Sequence, residues 1–349
     1  MSAKKWNIGV CTATVLFLAL FALFTAIIDP FLHYHDGLDG LEYPLKDIRY
    51  QNDGIARHYE YDSIITGTSM TQNFKTSEFE SLWGGKTVKI SCSGASFHES
   101  NENIRRALSY NPDVKYVLCS LDGNWINYPS DQNEYDDYPE YLYDNNPLND
   151  VSYLLNKEVV PKTLAVINFT RAGNKTTSMD EYGRWGPYVT YGKEAVLASV
   201  REVSEPAEES VMTEADKERI RQNITDNFVK TARMYPDTTF YLFLPPYSAC
   251  YWETILKTKQ LGCQIDCQEY AVGLLLDVEN IEVYDFAHLT DITSDLDNYM
   301  DSLHYGEWIN SEILHMIHAK EGMLTKENYK EYYAGLKELY GNFDYSIYK

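Results

Sequence analysis

The stretch Asp62-Ser63-Ile64-Ile65-Thr66-Gly67-Thr68-Ser69-Met70 joins a β-branched run to a glycine and a serine. The run over residues 64–66 is typical of a buried parallel strand. Gly67 permits a sharp backbone bend, so we expect Ser69 at the carboxyl end of this strand, just before a helix. Open α/β sheets place their reacting groups at that edge. The stretch therefore predicts an α/β sheet with a serine at its functional edge.

A second short motif, Asp301-Ser302-Leu303-His304, lies far downstream. An Asp three residues before a His can accept from the imidazole Nδ1–H, which fixes the tautomer that takes a proton from serine. Neither motif is specific alone, because Gly-x-Ser is common, serines cap helices and Asp-x-x-His occurs at ordinary helix starts. Together they predict a Ser69–His304–Asp301 triad, provided that the fold brings them to one place.

The N-terminal segment carries Lys4 and Lys5 and then runs through residues 8–28 without a charge. At about 1.5 Å per residue, this helix would span roughly 31 Å, close to the thickness of a bilayer core. A cleaved signal peptide is the alternative, but its apolar core is usually only ~7–15 residues long. We expect an uncleaved single-pass anchor in the cell membrane, with the N-terminus cytoplasmic and everything after Asp29 extracellular.

The chain beyond residue 28 is strongly acidic: it holds all 52 Asp and Glu residues and 28 Lys and Arg residues, a net charge of −24. Phosphate binding needs concentrated positive charge, so we expect neither nucleic acid nor an anionic membrane surface as a partner. Five cysteines follow the anchor, an odd number that cannot pair completely within one chain. We expect buried free thiols, and a local Cys263–Cys267 pair remains open.

Strand-like and helix-like patterns alternate from residue 62 onward. The strand-like runs are residues 62–66, 87–91, 115–121, 239–244 and 281–286. Strands that alternate with helices form parallel sheets, so we predict a three-layer α/β/α sandwich with a parallel five-stranded sheet. A helix after His304 is expected to turn Trp308, Ile313 and Ile317 inward.

The predicted domains follow from these patterns and from a long aperiodic stretch that is too long for a simple loop. They are a cytoplasmic tip and transmembrane anchor (1–28), a juxtamembrane collar (29–61), an extracellular domain (62–323) with an insertion at about 126–212, and a C-terminal helical tail (324–349).

Four tyrosines of the insertion, Tyr135, Tyr138, Tyr141 and Tyr143, are interleaved with acidic residues. They suggest either an aromatic platform for sugar rings or a lid, and a simple solvated insertion is the favoured alternative.

The reactive candidates share one placement in the predicted sheet. Ser69 follows the first strand, Gly94 the second, Asn124 the third, and Asp301 with His304 come after the fifth. The carboxyl ends of parallel strands lie at one edge, where such folds gather their functional groups. Unrelated Ser, Asp and His residues would not share that placement, so the sequence predicts one site.

These motifs resemble the SGNH/GDSL hydrolase superfamily in their order along residues 60–320. Residues 65–69 resemble its first block, with Thr68 in place of the usual Asp, and Ser93-Gly94-Ala95-Ser96 resembles its glycine block. Its last block matches Asp301-Ser302-Leu303-His304, whereas Asp122-Gly123-Asn124 stands where the family has Gly-x-Asn-Asp.

The resemblance implies acyl transfer or ester hydrolysis without a metal or cofactor. Ser69 would be the nucleophile, His304 the general base and acid, and Asp301 the residue that orients His304. Ser69 N–H, Gly94 N–H and Asn124 would form the oxyanion hole. Further substrate contacts are expected from Asp122, Trp125 and Tyr247 at the rim of the site.

An N-terminal anchor joined to an acidic extracellular domain resembles membrane-tethered SGNH proteins of envelope modification, such as the D-alanyl transfer protein of lipoteichoic acid and the proteins of alginate acetylation. Residues 29–69 also resemble proteins of Gram-positive gut bacteria. The resemblance implies a cell-surface glycan or teichoic acid as substrate and a membrane-bound O-acyltransferase as partner. Three functions stay open: an O-acyltransferase, an esterase, and a non-catalytic glycan-binding or assembly module.

Overall fold

The structure, a computed structural model, describes residues 2–133, 138–200, 203 and 208–348. Contacts between residues divide the chain into two units. The first, here called the anchor unit, comprises Met1–Tyr59 with Tyr135–Ser178, and the second, the sheet unit, comprises Glu60–Glu134 with Met179–Lys349. Residues 138–178, part of the predicted insertion, are grouped with the N-terminal segment, and the sheet unit holds all the strands of the described chain.

The sheet unit is built on one mixed sheet of six strands in the order β2-β1-β3-β4-β5-β6. The strands are β1 Ser63–Thr66, β2 Thr87–Lys89, β3 Tyr116–Ser120, β4 Thr239–Leu244, β5 Ile281–Asp285 and β6 Met323–Leu324. The first five are mutually parallel, whereas β6 pairs antiparallel with β5. The α/β class with a mostly parallel sheet is confirmed.

The prediction of five parallel strands was wrong in number, because the two-residue strand β6 extends the sheet beside β5. A strand this short leaves no alternating pattern in the sequence, so only the fold reveals it. It lies in residues that the sequence-based division placed at the boundary between the main domain and the tail.

The described chain contains these α-helices: α1 Ala3–Ile28, α2 Ile48–His58, α3 Ser69–Gln72, α4 Thr76–Trp83, α5 Phe97–Tyr110, α6 Val151–Leu154, α7 Val159–Arg171, α8 Lys193–Ser199, α9 Glu214–Ile224, α10 Lys230–Met234, α11 Ala249–Lys257, α12 Leu261–Leu275, α13 Thr290–Thr293, α14 Glu307–His318 and α15 Tyr329–Asn342. A π-helical turn, Thr225–Val229, joins α9 to α10. The helical run from Glu214 to Met234 is therefore interrupted once.

Both faces of the central strand β4 are covered. Phe243 packs edge-on against Phe74, and Tyr241 lies against Trp83 of α4, so this face meets the α4 side. Successive strand residues point to opposite faces. Phe240 and Leu242, which point the other way, are also buried. The central strand is therefore covered on both faces, and the strand ends are the expected place for a site.

Helix α14 buries Ile313 and Ile317, as the sequence predicts, but Trp308 is 42% exposed. The inward placement of Trp308 was wrong. Its indole lies over Gly306, where an added Cβ would come within 2.3 Å of the ring, and its Nε1 donates to Asn298. The missing side chain of Gly306 thus gives the indole a surface position at the start of the helix.

In the anchor unit, α1 is a helix of 26 residues that contains an 18-residue window with a mean hydropathy of 2.5, so it is long and apolar enough to span a membrane. Asp29 directly follows α1, and its buried carboxylate accepts hydrogen bonds from Tyr153 Oη and from the backbone N–H of Tyr34. Helices α6 and α7 pack against α1.

The aromatic platform is not formed by the tyrosines that the structure describes. Tyr143 is buried in a cluster with Phe31, and Tyr138 and Tyr141 pack against that cluster. Tyr135 lies outside the described residues. No disulfide joins any of the six cysteines, all of which lie in the described chain, so a Cys263–Cys267 bridge is absent.

Candidate active site

The nucleophile candidate lies where the strand order of the sheet reverses. Strand β1 pairs with β2 on one side and β3 on the other, and ligands of such sheets bind outside the carboxyl ends at this point. Gly67 follows β1 with φ +120°, and an added Cβ would meet Ser120 Oγ at 2.5 Å. Glycine therefore permits the bend that places Ser69 as the first residue of α3.

The structure brings Ser69, His304 and Asp301 together in one hydrogen-bonded row. Ser69 Oγ lies 2.8 Å from His304 Nε2, and His304 Nδ1 lies 2.8 Å from Asp301 Oδ2. A carboxylate beside Nδ1 favours the tautomer with its proton on Nδ1, because the carboxylate only accepts. Nε2 is then the acceptor for the serine hydroxyl, the geometry required of a general base.

Asp301 is held as a carboxylate by its neighbours. Burial acts to raise the pKa of its carboxyl, but the hydrogen bond and charge of His304 and the backbone N–H groups of Leu303 and His304 hold it below its usual range. The two backbone donors both reach Oδ1, which leaves Oδ2 for the ring. The carboxylate thus orients both the backbone and the imidazole of His304.

A tight loop presents His304. Tyr299 and Tyr305 form an antiparallel bridge, and Met300 N–H donates to the carbonyl of His304. Ser248, which precedes α11, donates from both its N–H and its hydroxyl to the carbonyl of Ser302. These hydrogen bonds restrain the loop that carries His304, because they join two parts of the loop to each other and connect the loop to the segment after β4.

A pocket of about 360 Å³ opens in front of Ser69 and His304 and is lined also by Gly94, Asn124 and Trp125. Ser69 is the first residue of α3, and the first N–H groups of a helix lack an intrahelical acceptor. Gly94 adopts φ +64° in the turn after β2. The structure therefore gathers the serine, the histidine and all three predicted oxyanion-hole residues around one cavity.

The side chain of Asn124 is oriented by a residue that the sequence did not single out. Tyr251 Oη, from α11, lies 3.1 Å from Asn124 Oδ1. Burial raises the pKa of the Tyr251 phenol, so the phenol stays protonated and donates to the amide oxygen. The amide N–H₂ group of Asn124 therefore points away from Tyr251 and can act as a hydrogen-bond donor. No local pattern in the sequence signals this pairing.

Asp122 and Tyr247 are structural parts of the pocket wall. The buried carboxylate of Asp122 accepts hydrogen bonds from Thr68 Oγ1, Ser120 Oγ and Tyr247 Oη at 2.7–2.9 Å. Burial raises its pKa, although the three hydroxyl donors oppose that shift. Of the three predicted rim residues, Trp125 is the one with a partly exposed side chain, and it packs against Tyr128.

A side chain from the predicted insertion also contacts Ser69 and His304. Trp185 donates from Nε1 to the carbonyl of Ser69 at 3.0 Å, and its ring stands perpendicular to the His304 ring with centroids 5.4 Å apart.

Among the described residues, no group of three or more His, Cys, Asp or Glu side chains is arranged to hold a metal ion.

Comparisons with known proteins add little to this geometry. No protein-family model matches the chain, and no curated protein matches it either. Among solved structures, the chain is similar to one described as "The structure of a putative platelet activating factor from Streptococcus pneumonia", with 14% identity, 78% of this chain and 90% of that chain covered, and a TM-score of 0.39. At that TM-score the likeness carries no argument about function.

Proposed function

We propose that this protein is a serine acyltransferase or esterase that works through Ser69, His304 and Asp301. The observation that carries the proposal is the continuous row from Ser69 Oγ to His304 Nε2 and from His304 Nδ1 to Asp301 Oδ2, each step 2.8 Å. Nucleophile and base within hydrogen-bond reach, with the base held by a third group, are the signature of nucleophilic catalysis.

In the first half-reaction, Ser69 Oγ attacks the carbonyl carbon of an ester while His304 Nε2 takes the hydroxyl proton. The oxyanion that forms is held by the N–H groups of Ser69 and Gly94 and by the amide of Asn124. The C–O bond to the leaving alcohol then breaks, and His304 returns its proton to that alcohol. The acyl group remains on Ser69 as an ester, and Asp301 stabilises the imidazolium throughout.

The second half-reaction decides between the two activities. Water that gives its proton to His304 and attacks the acyl-serine releases a free acid, whereas a sugar hydroxyl that does the same yields a new ester on the sugar. Both routes restore Ser69 and use the same residues, so the accessible acceptor determines the outcome.

We further propose that the substrate is an O-acyl group of a cell-surface polysaccharide or teichoic acid, outside the membrane. Helix α1 supports an uncleaved anchor, because it holds 26 residues and exposes apolar side chains such as Leu16, Phe17 and Leu20. Lys4 and Lys5 favour a cytoplasmic N-terminus. A membrane-bound O-acyltransferase is the proposed donor of acyl groups.

The test is labelling of the full-length protein in detergent by a serine-directed fluorophosphonate. We expect the adduct on the peptide that contains Ser69, and its loss in Ser69→Ala and in His304→Gln. Ser93→Ala is the matched control, because Ser93 also lines the pocket and its hydroxyl donates to Gln72. Labelling should survive that change.

Two results would count against the enzyme. Wild-type protein that takes no label would favour the alternative, a non-catalytic glycan-binding or assembly module. Label on Ser69 that is undiminished in His304→Gln would show that the histidine does not activate the serine.

A further inference from the structure

Helix α3, which begins at Ser69, is too short to provide hydrogen-bond partners for its own backbone carbonyl groups. Helix α3 has four residues, and the last four carbonyl groups of a helix have no partner within it. Distant side chains supply donors: Trp185 Nε1 to Ser69 O, Asn310 Nδ2 to Met70 O and Lys89 Nζ to Gln72 O. The position of the nucleophile therefore depends on residues far away in the sequence.

Trp185 belongs to a segment, residues 180–186, that we call the strap. Asp180 ties its start to the first turn of α4 by accepting from Thr76 Oγ1 and from the N–H of Ser77. At its end, the N–H groups of Trp185 and Gly186 both donate to Asn73 Oδ1, at 3.1 and 2.9 Å. The strap is thus fixed to the residues that follow Ser69.

The strap is also fixed to the histidine side of the site. Arg184 donates from Nε and Nη2 to the two carboxylate oxygens of Glu307, each at 2.6 Å. Glu307 is the first residue of α14, three positions after His304. Bidentate pairs of this kind restrict orientation as well as distance. Trp185 is therefore held between the two segments that supply the reacting pair.

Trp185, one of the three side chains that donate to α3, also contacts the imidazole of His304. Its indole donates to the Ser69 carbonyl and stands at 88° to the His304 ring with a centroid separation of 5.4 Å. We propose that Trp185 is a positioning residue, whose indole sets the separation between Ser69 Oγ and His304 Nε2. The proposal rests on the proposed function, because it names what holds the same pair of groups.

The consequence is kinetic. Proton transfer to a base requires a heavy-atom separation of about 2.6–3.2 Å, and a displacement of the order of 1 Å can cost on the order of 100-fold in rate. Loss of the indole N–H frees the Ser69 carbonyl and lets α3 shift against His304. The rate of the chemical step should fall, while initial binding of a small reagent in the pocket should not.

The experiment separates these two quantities in full-length protein. We expect Trp185→Phe to lower the maximal rate constant of fluorophosphonate labelling roughly 10-fold or more, with the concentration for half-maximal rate unchanged within about twofold. Trp83→Phe is the matched control, because the indole of Trp83 also donates one hydrogen bond, to Tyr241 Oη at 3.2 Å, and Trp83 lies outside the pocket lining. It should leave the maximal rate constant unchanged.

A purely structural role would look different. It would reduce the fraction of protein that takes label, not the rate constant of the folded fraction. If Trp185→Phe does not fold, Trp185 can be replaced by benzothienylalanine, which keeps the ring system and exchanges N–H for sulfur. This replacement removes only the hydrogen bond, and the same fall in the rate constant is expected. Wild-type rate constants in both variants would overturn the positioning role of Trp185 but not the proposed function. A wild type that takes no label would overturn the proposed function itself.

Discussion

The hydroxyl of Thr68 donates to the buried carboxylate of Asp122 over 2.9 Å. Thr68 also caps α3, because its Oγ1 accepts from the N–H of Met70. Thr68 directly precedes Ser69, whereas Asp122 lies in the loop after β3. The carboxylate thus reaches the serine turn from a neighbouring strand, so the two strands on either side of the switch point are linked beside Ser69.

This link predicts that Thr68→Val impairs the site more than loss of a helix cap alone. The cap is worth about 0.5–2 kcal/mol, and Asp122 would also lack one of its three hydroxyl donors. We expect slower labelling of Ser69 by roughly 10-fold or more. Thr213→Val is the control, because Thr213 caps α9 on the surface through a capping box. Equal labelling rates in the two variants would refute the link.

The second prediction concerns the amide of Asn124. Because Tyr251 Oη donates to the amide oxygen, Tyr251→Phe should free the Asn124 side chain to rotate and weaken its proposed role as an oxyanion donor. Loss of such a donor costs about 10²–10³-fold in rate, so Asn124→Ala should reach that range and Tyr251→Phe should fall short of it.

The measurement for this prediction is hydrolysis of p-nitrophenyl acetate by the two single variants and the double variant. Because Tyr251 acts through Asn124, the double variant should be no slower than Asn124→Ala. Additive losses would contradict the arrangement. Tyr345→Phe, which removes a hydroxyl that donates to the Tyr340 carbonyl, serves as the control.

The bend before Ser69 gives a stability prediction. Gly67→Ala places a Cβ at φ +120° and 2.5 Å from Ser120 Oγ, so both strain and a steric clash oppose it. Gly173→Ala, at φ +77° with no atom within 4 Å of the new Cβ, carries the strain alone. We expect roughly 1 kcal/mol of destabilisation for Gly173→Ala and about 3 kcal/mol or more for Gly67→Ala. Chemical denaturation measures both, and equal losses would exclude the clash.

The sequence predicted those parts of the molecule that local patterns specify. Strand β4 has the predicted bounds, and the β-branched run before Gly67 forms β1. The sequence also predicted that Ser69 and His304 meet, because their motifs follow strands of a parallel sheet whose carboxyl ends share one edge, and their side chains lie 2.8 Å apart.

What the sequence did not reveal depends on contacts between distant segments. Trp185 lies in an aperiodic stretch, and its partners Ser69 and His304 are 116 and 119 positions away. Asp122, expected at the rim, is instead buried because three hydroxyl groups converge on it, and Trp308 is exposed because Gly306 leaves room for the indole. Such outcomes require knowledge of which segments meet, which no local period supplies.

A buried acid at the end of β5 provides a pH-dependent prediction. Burial raises the pKa of Asp285 to about 6, although Ala287 N–H and the hydroxyls of Tyr332 and Tyr333 oppose the shift. A pKa above the unfolded value means that the protonated acid stabilises the fold at low pH, and that this contribution is lost as pH rises through about 6. The shift of about 2 units corresponds to at most about 3 kcal/mol.

The variant Asp285→Asn removes this titration. The free energy of unfolding of the wild type, taken relative to Asp285→Asn, should therefore fall between pH 4 and pH 7. Denaturant titrations at several pH values measure the difference. A difference that stays constant, or rises with pH, would contradict the raised pKa of Asp285.

The most direct test of the central claim is to trap the acyl group on the protein. Full-length protein is mixed with p-nitrophenyl acetate, quenched in acid after a short interval, and digested for peptide mass spectrometry. We predict an acetyl group on the Ser69 hydroxyl in the wild type and none there in His304→Gln. An acetyl group found only on lysines, or on Ser69 to the same extent in both proteins, would contradict catalysis by this pair.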